Sequence, residues 1–120
     1  MRYLLLIYGE EGPMVEMPED QQAAEFKPWF EYTDWLKEKG WYLGGDALEP
    51  TSTATTVRGK EGETFTTDGP FAETKEALGG YYLIDCPNLD DAIEAAKRIP
   101  SVVRFGHPVE VRPVQELPGS

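Results

Sequence analysis

Residues 79–100 read GGYYLIDCPNLDDAIEAAKRIP, and they contain a strand, the start of a helix and its end in one run. Residues 81–86 are apolar on both alternating faces, which is typical of a central strand that is covered on each side. Asn88 stands where the N-cap of a helix belongs, and Pro100 stops the helix that follows. The apolar residues on one face of this helix are Leu89, Ala92, Ile93, Ala96 and Ile99. The stretch therefore predicts a central strand that leads directly into an amphipathic helix.

The N-terminal third of the chain predicts a second central strand and a long helix. Residues 3–8 are apolar on both faces, as residues 81–86 are. Between residues 19 and 39 apolar side chains recur at steps of three and four, and Gly40 supplies a C-terminal stop. The predicted apolar face consists of Ala23, Phe26, Phe30 and Thr33, with Leu36 or Lys37 next. Pro28 removes one helical hydrogen bond, so either the helix is kinked there or a new helix begins at that residue.

The remaining strands are predicted from turn residues and β-branched residues. Residues 44–50 favour a short strand that runs into a loop. Residues 53–57 and 63–67 are rich in β-branched side chains and flank the turn-forming tetrapeptide GKEG, which predicts a hairpin. Residues 109–114 favour a final strand, which its proline interrupts or confines to a sheet edge.

The order strand, helix, strand, hairpin, strand, helix, strand predicts an antiparallel α+β fold, because it lacks the regular alternation of a parallel sheet. A ferredoxin-like core with an inserted hairpin accounts for this order best. Two helices cover only one face of such a sheet, yet two of its strands are apolar on both faces. We therefore expect a homodimer, in which Leu4, Leu6, Tyr8 and residues 81–86 are covered by a second copy.

Composition predicts a single domain, residues 1–120, in the cytoplasm. The chain carries 22 acidic and 11 basic residues, a net charge of −11, which argues against direct binding to nucleic acid or to an anionic membrane. Its one cysteine, Cys86, excludes an internal disulfide. The apolar run of residues 3–8 is too short for a signal peptide or a membrane helix.

One short motif makes this sequence similar to those of a known protein family. Residues 67–76 read TDGPFAETKE, a tight turn followed by a dense cluster of charges. With this motif the chain resembles the DGPF-motif branch of the YCII-related family over nearly its whole length. The matching pieces are Gly44-Gly45, Asp68-Gly69-Pro70-Phe71, Glu73, Lys75, Glu76, Gly79-Gly80, the helix end over residues 92–100 and the closing residues 109–114.

The resemblance implies a dimeric α+β barrel, in which two sheets pack face to face around a cavity. It brings no established activity, but members of this branch are often encoded beside extracytoplasmic-function sigma factors, which implies the context of a transcription regulator. The broader family has been proposed to use a His-Asp pair. That mechanism cannot be carried over, because the single histidine, His107, lies in a loop near the last strand.

Asp68 and Arg112 are the two foremost candidate site residues. A carboxylate held by a Gly-Pro turn at a strand end can act as a general base or orient a ligand hydroxyl, if a cavity desolvates it. The simpler interpretation of Asp68 is a structural turn, with a special dihedral at Gly69. Arg112 would bind a carboxylate if it pointed into a cavity, and it would otherwise pair with Glu110 or another acid as part of the structure.

Glu73 and Lys75 are further candidates for ligand binding, with Lys75 pairing a substrate anion. The ordinary interpretation is a solvated loop with a weak ion pair. Phe71 is expected to be an anchor in the core or in the dimer interface. Five other aromatic residues are expected in the core and the interface, or as the walls of a pocket: Trp29, Tyr32, Trp35, Trp41 and Tyr42.

No cofactor or metal is predicted, since His107 has no nearby histidine or cysteine partner in the sequence. Cys86 is expected to be a buried small apolar residue. Two function classes stay open: a small-molecule-binding or regulatory accessory protein, and an enzyme that uses Asp68 as a general base on a small metabolite. The first is favoured, because no second general acid or base is identifiable.

Overall fold

The computed structural model describes residues 1–12 and 17–119, which form a four-stranded antiparallel sheet, a two-stranded hairpin and three α-helices. The elements in chain order are β1 (Arg2–Gly9), α1 (Glu19–Glu38), β2 (Tyr42–Ala47), a 3-10 helix (Thr51–Thr53), β3 (Thr55–Lys60), β4 (Glu63–Asp68), β5 (Ala77–Asp85), α2 (Leu89–Lys97), α3 (Pro100–Phe105) and β6 (Val109–Pro113). The predicted antiparallel α+β class is confirmed.

The sheet has the strand order β2-β5-β1-β6, with every neighbouring pair antiparallel. Both strands that are apolar on two faces, β1 and β5, lie in its centre, as their sequences predict. β6 lies at one edge and ends at Pro113, where the missing N–H of proline is tolerated.

One face of the sheet packs against the helices and forms the core. Tyr3, Leu5 and Ile7 point from β1 to this face, and β5 adds Tyr82 and Ile84, all of them buried. The helices contribute Tyr32, Leu36, Ala92, Ala95, Ala96 and Ile99. The alternation of buried residues along β1 and β5 thus continues the period of two that defines a strand.

The core face of α1 differs from the face that the sequence indicated. The helix is continuous through Pro28 and ends before Gly40, which has a positive φ of 74° as the predicted stop requires. Its buried side chains are Tyr32 and Leu36, whereas Phe26 and Phe30 are 51% and 67% exposed.

Among the described residues no helix is long and apolar enough to cross a bilayer.

The prediction of two helices is wrong, because a third helix, α3, follows directly after the end of α2. The predicted cap is confirmed: the Asn88 side chain accepts a hydrogen bond of 2.9 Å from the backbone N–H of Asp91. Pro100 does stop α2, but it is also the first residue of α3, where its fixed φ favours a helix start. α3 then ends at Gly106, which has a φ of 67°.

The other face of the sheet carries no helix. Leu4 and Leu6 of β1 lie opposite Leu83 and Tyr81 of β5 in the register, and all four are half-buried. Tyr8 follows on the same side of β1. Apolar side chains therefore alternate onto both faces of the two central strands, and the structure covers only one of these faces.

The hairpin β3–β4 stands off from the main sheet. Its strands pair only with each other, and every residue in them except Thr56 is exposed. Its turn is Glu61-Gly62, with φ of 52° and 82°, so Gly59 and Lys60 belong to β3 and not to the predicted four-residue turn. The chain has a radius of gyration of 16.7 Å, whereas about 14 Å is expected for a compact chain of this length.

Candidate binding cleft

A large cleft in the described part of the chain lies between the middle of α1 and the ends of β1, β2 and β5. Its volume is about 790 Å³, within the range of about 300–1,000 Å³ that small-molecule sites occupy. Residues 10–12 and 48–50, in the loops after β1 and β2, contribute to it, and so do the start of β5 and two residues near α3. The cleft is therefore built from five separate parts of the sequence.

Aromatic rings form much of the wall of this cleft. The aromatic lining residues outside β1 are Phe26, Trp29, Phe30, Tyr42, Tyr81 and Tyr82. Phe26 and Phe30 keep about half or more of their surface exposed because nothing in the described chain covers them from the cleft side. Flat apolar rings with one free face offer stacking surface to a ligand.

Two hydroxyl groups in the cleft already donate their hydrogen bonds to acceptors within the protein. The Thr33 hydroxyl donates to the Trp29 carbonyl at 2.9 Å, so the Tyr82 hydroxyl, 2.9 Å from Thr33 Oγ1, donates to Thr33. Burial raises the pKa of the Tyr82 phenol above its ordinary value, because the charged form is disfavoured away from water. Tyr82 therefore presents mainly a neutral ring to the cleft.

Gly45 allows β2 to approach Tyr82 at the back of the cleft. A Cβ atom at this position would lie 2.8 Å from the Tyr82 ring and 2.9 Å from the Tyr81 carbonyl oxygen. The second contact is with backbone, which cannot swing aside. This is a physical reason for glycine at one position of the Gly44-Gly45 pair.

Ser101 and His107 bring α3 and the following loop to the same cleft. Ser101 is only 6% exposed, and its hydroxyl has no hydrogen-bond partner among the described residues. The His107 ring lies against Gly9, where a Cβ atom would come within 2.8 Å of Nδ1. The Ser101 hydroxyl is therefore a buried polar group without a partner in a residue that lines the cleft.

Carboxylates dominate the charge of the lining. Its charged members in the described chain are Glu10, Glu11, Asp46 and Glu49, with no lysine or arginine among them. Asp46 accepts a hydrogen bond of 2.8 Å from the Tyr81 hydroxyl, which raises the pKa of that phenol. The Glu11 carboxylate accepts from the backbone N–H of Thr51.

The structure places Asp68 at the exposed end of β4, outside the lining of the cleft. The turn after it is held by backbone groups: the N–H of Gly69 donates to the Ala54 carbonyl at 2.7 Å, and the Thr56 hydroxyl donates to the Gly69 carbonyl. Gly69 has a positive φ of 103°, a backbone angle that favours glycine, and this is the special dihedral that the sequence predicts. No hydrogen bond to the Asp68 carboxylate occurs among the described residues.

Arg112, Glu73 and Lys75 also lie outside the cleft lining. Arg112 stands opposite Leu4 on the sheet face that carries no helix, and its guanidinium donates to the Glu110 carboxylate, which raises the pKa of Arg112. Lys75 Nζ lies 3.4 Å from Glu10 Oε1 in an exposed pair. Glu73 and Phe71 are exposed, and the Arg58 guanidinium lies over the Phe71 ring. Phe71 is therefore not part of the core of this chain, and its role in a dimer interface stays a prediction.

Cys86 is buried as predicted, at 3% exposure, and burial raises the pKa of its thiol. Such a thiol is a poor nucleophile, because its thiolate is disfavoured. Within residues 1–12 and 17–119, no group of three histidine, cysteine or acidic side chains is arranged to hold a metal ion.

Comparison with known proteins establishes the family. Residues 1–117 match the family described as the YCII-related domain, and the chain belongs to that family. It is also similar to an uncharacterised protein of Rhizobium meliloti (strain 1021), with 49% identity over 67 residues. That alignment covers 56% of this chain and 54% of the relative, so the match spans about half of each protein. The family predicted from the motifs is confirmed, and its DGPF branch stays a prediction.

Proposed function

We propose that this YCII-related protein binds a small molecule in the cleft beside α1. The observation that carries the proposal is a cleft of about 790 Å³ with exposed aromatic rings in its wall. Ser101, whose hydroxyl has no partner among the described residues, also lines this cleft. A ligand in the cleft would cover the exposed ring surface of Phe26 and Phe30.

The proposed assembly is a cytoplasmic homodimer of ferredoxin-like subunits that form an α+β barrel. The order β2-β5-β1-β6 with antiparallel neighbours supports a ferredoxin-like subunit with the hairpin inserted between its second and third strands. The apolar face of Leu4, Leu6, Leu83 and Tyr81 supports a second sheet against it. An exposed two-stranded hairpin is marginally stable alone, which also favours cover by a partner.

A binding or regulatory role is favoured over catalysis. Asp68 and Arg112 are both exposed, and neither lines the cleft, so the desolvated carboxylate that a general base requires has no support at Asp68. The roles of Asp68, Arg112, Glu73 and Lys75 in binding stay predictions, as does the context of a transcription regulator.

Binding in the cleft is tested with an uncharged fluorescent probe, Nile red, followed by a thermal-shift screen against a metabolite library. The variant pair Phe26→Ala and Phe30→Ala removes ring surface that is already more than half exposed, so the unfolding temperature should change little while probe affinity falls. Phe65→Ala is the matched control, because Phe65 is 48% exposed and lies outside the cleft. Equal loss of affinity in all three variants, or no binding to the wild type, contradicts the proposal.

A further inference from the structure

The charge around the cleft is one-sided. The exposed acidic residues of its lining, which we call the acidic entrance, are Glu10, Glu11, Asp46 and Glu49. The cation nearest to them in the described chain is Lys75, 3.4 Å from Glu10, and it is 84% exposed. One lysine against four carboxylates leaves the entrance strongly negative, and the whole chain adds a net charge of −11.

These four carboxylates differ in the hydrogen bonds and ion pairs that the protein itself supplies to them. Glu11 uses both oxygens on the Thr51 N–H, and Glu10 pairs with Lys75. Asp46 uses Oδ2 on the Tyr81 hydroxyl, a neutral donor that leaves its charge uncompensated. Glu49 has no hydrogen bond or ion pair within residues 1–12 and 17–119. Asp46 and Glu49 therefore carry negative charge that no cation of the described chain neutralises.

The aromatic inner wall of the cleft is the second feature that determines which ligand the cleft can bind. Phe26, Trp29 and Phe30 present rings from α1, and ring faces attract cations as well as apolar groups. Thr33 and Tyr82 bond each other and offer no free donor. The Ser101 hydroxyl is buried and has no partner among the described residues, so it competes for no ligand group at the surface of this wall.

We infer that the ligand of the cleft is an organic amine, with an apolar or aromatic body against the α1 rings and an ammonium group at the acidic entrance. The inference rests on the proposed function of the cleft. An anionic ligand is disfavoured because it would lose its hydration beside four carboxylates with no arginine or lysine in the lining.

The test uses three probes that share a phenyl ring on a short chain: 2-phenylethylamine, 2-phenylethanol and 3-phenylpropionate. Ligand-observed NMR titrations of the full chain should give an amine affinity about tenfold above that of the alcohol. The carboxylate should bind more weakly than the alcohol, and added salt should reduce the preference for the amine.

A variant that lacks the charges of Asp46 and Glu49 tests whether the preference for the amine over the alcohol arises at the acidic entrance. Asp46→Asn combined with Glu49→Gln should reduce the ratio of amine to alcohol affinity, with both affinities measured on the same variant, to about threefold or less. Glu63→Gln is the control, because it removes one carboxylate from the hairpin, outside the cleft lining. An unchanged ratio in the double variant overturns the inference.

The two proposals fail differently. Equal binding of amine and alcohol, preference for 3-phenylpropionate, or no amine binding by a protein that still binds Nile red overturns the amine assignment and leaves the binding function standing. A folded protein that binds neither Nile red nor any of the three probes overturns the proposed function itself.

Discussion

At the scale of single residues, a few side chains determine what the cleft wall offers. Ser101 has a hydroxyl without a partner, while the hydroxyls of Tyr82 and Thr33 already donate to acceptors within the protein. The turn at Asp68 and Gly69 is instead exposed and is held by backbone hydrogen bonds. Substitutions at these positions should therefore separate contributions to stability from contributions to binding.

Replacing Ser101 by alanine should leave the ligand-free protein as stable or make it more stable, by up to about 1 kcal/mol, because a buried unsatisfied hydroxyl carries a desolvation cost. Urea unfolding of wild type and Ser101→Ala measures the difference. A loss of more than about 1 kcal/mol would show that the hydroxyl has a partner in the folded protein.

Gly69→Ala should destabilise the protein by about 1 kcal/mol or more, because alanine is strained at a φ of 103°. Asp68→Asn should leave the unfolding temperature near that of wild type, since the turn does not depend on the Asp68 carboxylate. Thermal unfolding of both variants measures these effects.

The same two variants also test the predicted site. If Asp68→Asn retains its stability but loses affinity for a ligand from the metabolite screen, Asp68 is a binding residue. Retention of both properties assigns the motif to structure alone.

Tyr82 should contribute to a loss of stability in alkali. Burial raises the pKa of its phenol above the unfolded value of about 10, so its contribution is complete below that pH and is lost as the pH rises through the folded pKa. In Tyr82→Phe, the free energy of unfolding should be lower at neutral pH, because the bond to Thr33 is lost, and it should fall less steeply above about pH 10. Urea unfolding at pH 8 to 11 measures both; parallel curves contradict the prediction.

At the scale of elements, the strands and helices follow their local signals except where one residue serves two roles. β1 and β5 are recognisable because both of their faces are apolar, and α2 is recognisable from its Asn88 cap. α3 escapes prediction because Pro100 both ends one helix and begins another. The start of β5 escapes because Gly79 and Gly80 have no side chains that could show the alternation of a strand, although Gly80 pairs with Ile7.

The cleft could not be predicted from local spacing. Phe26, Glu49 and Ser101 come from α1, the loop after β2 and α3, and nothing in the sequence between them signals that they converge. The aromatic residues of α1 do give one usable signal: Phe26 and Phe30 lie on a different face from Tyr32 and Leu36, so one helix carries two apolar faces. A second apolar face on a surface helix needs a second occupant.

The hairpin turn offers a stabilising substitution. Glu61 has a φ of 52°, which a residue with a Cβ atom adopts at a cost, and it precedes a glycine that also has a positive φ. Asn-Gly is the favoured pair for such a two-residue turn. Glu61→Asn should therefore stabilise the hairpin by about 0.5–1 kcal/mol, measured as slower amide hydrogen exchange in β3 and β4. Faster exchange in the variant would contradict the assigned turn geometry.

At the scale of the whole molecule, the flat shape and the helix-free face of the sheet agree with an assembly larger than one chain. The principal extents are 48 × 47 × 21 Å, so a large part of the surface belongs to the two broad faces. The helix-free face of the sheet carries apolar residues of β1 and β5 that no helix covers.

Light scattering at micromolar concentration should give the mass of a homodimer. The dimer would carry a charge of −22, twice the −11 of one chain, so added salt should tighten association by screening this repulsion. Leu4→Lys places a charge on the helix-free face and should give a folded monomer. A wild-type chain that scatters as a stable monomer at all salt concentrations excludes the barrel.

The central position of β1 also affects how the protein is made. β1 is an early strand in the chain, yet its two neighbours are β5 and β6, separated from it by about 70 to 100 residues. At roughly 5–20 residues per second, a ribosome takes several seconds to deliver those partners. During that time the apolar segment 3–8 has two unpaired edges, which can pair with other nascent chains. Synthesis should therefore be the stage at which this protein most depends on chaperones, and a chain interrupted before β5 should aggregate.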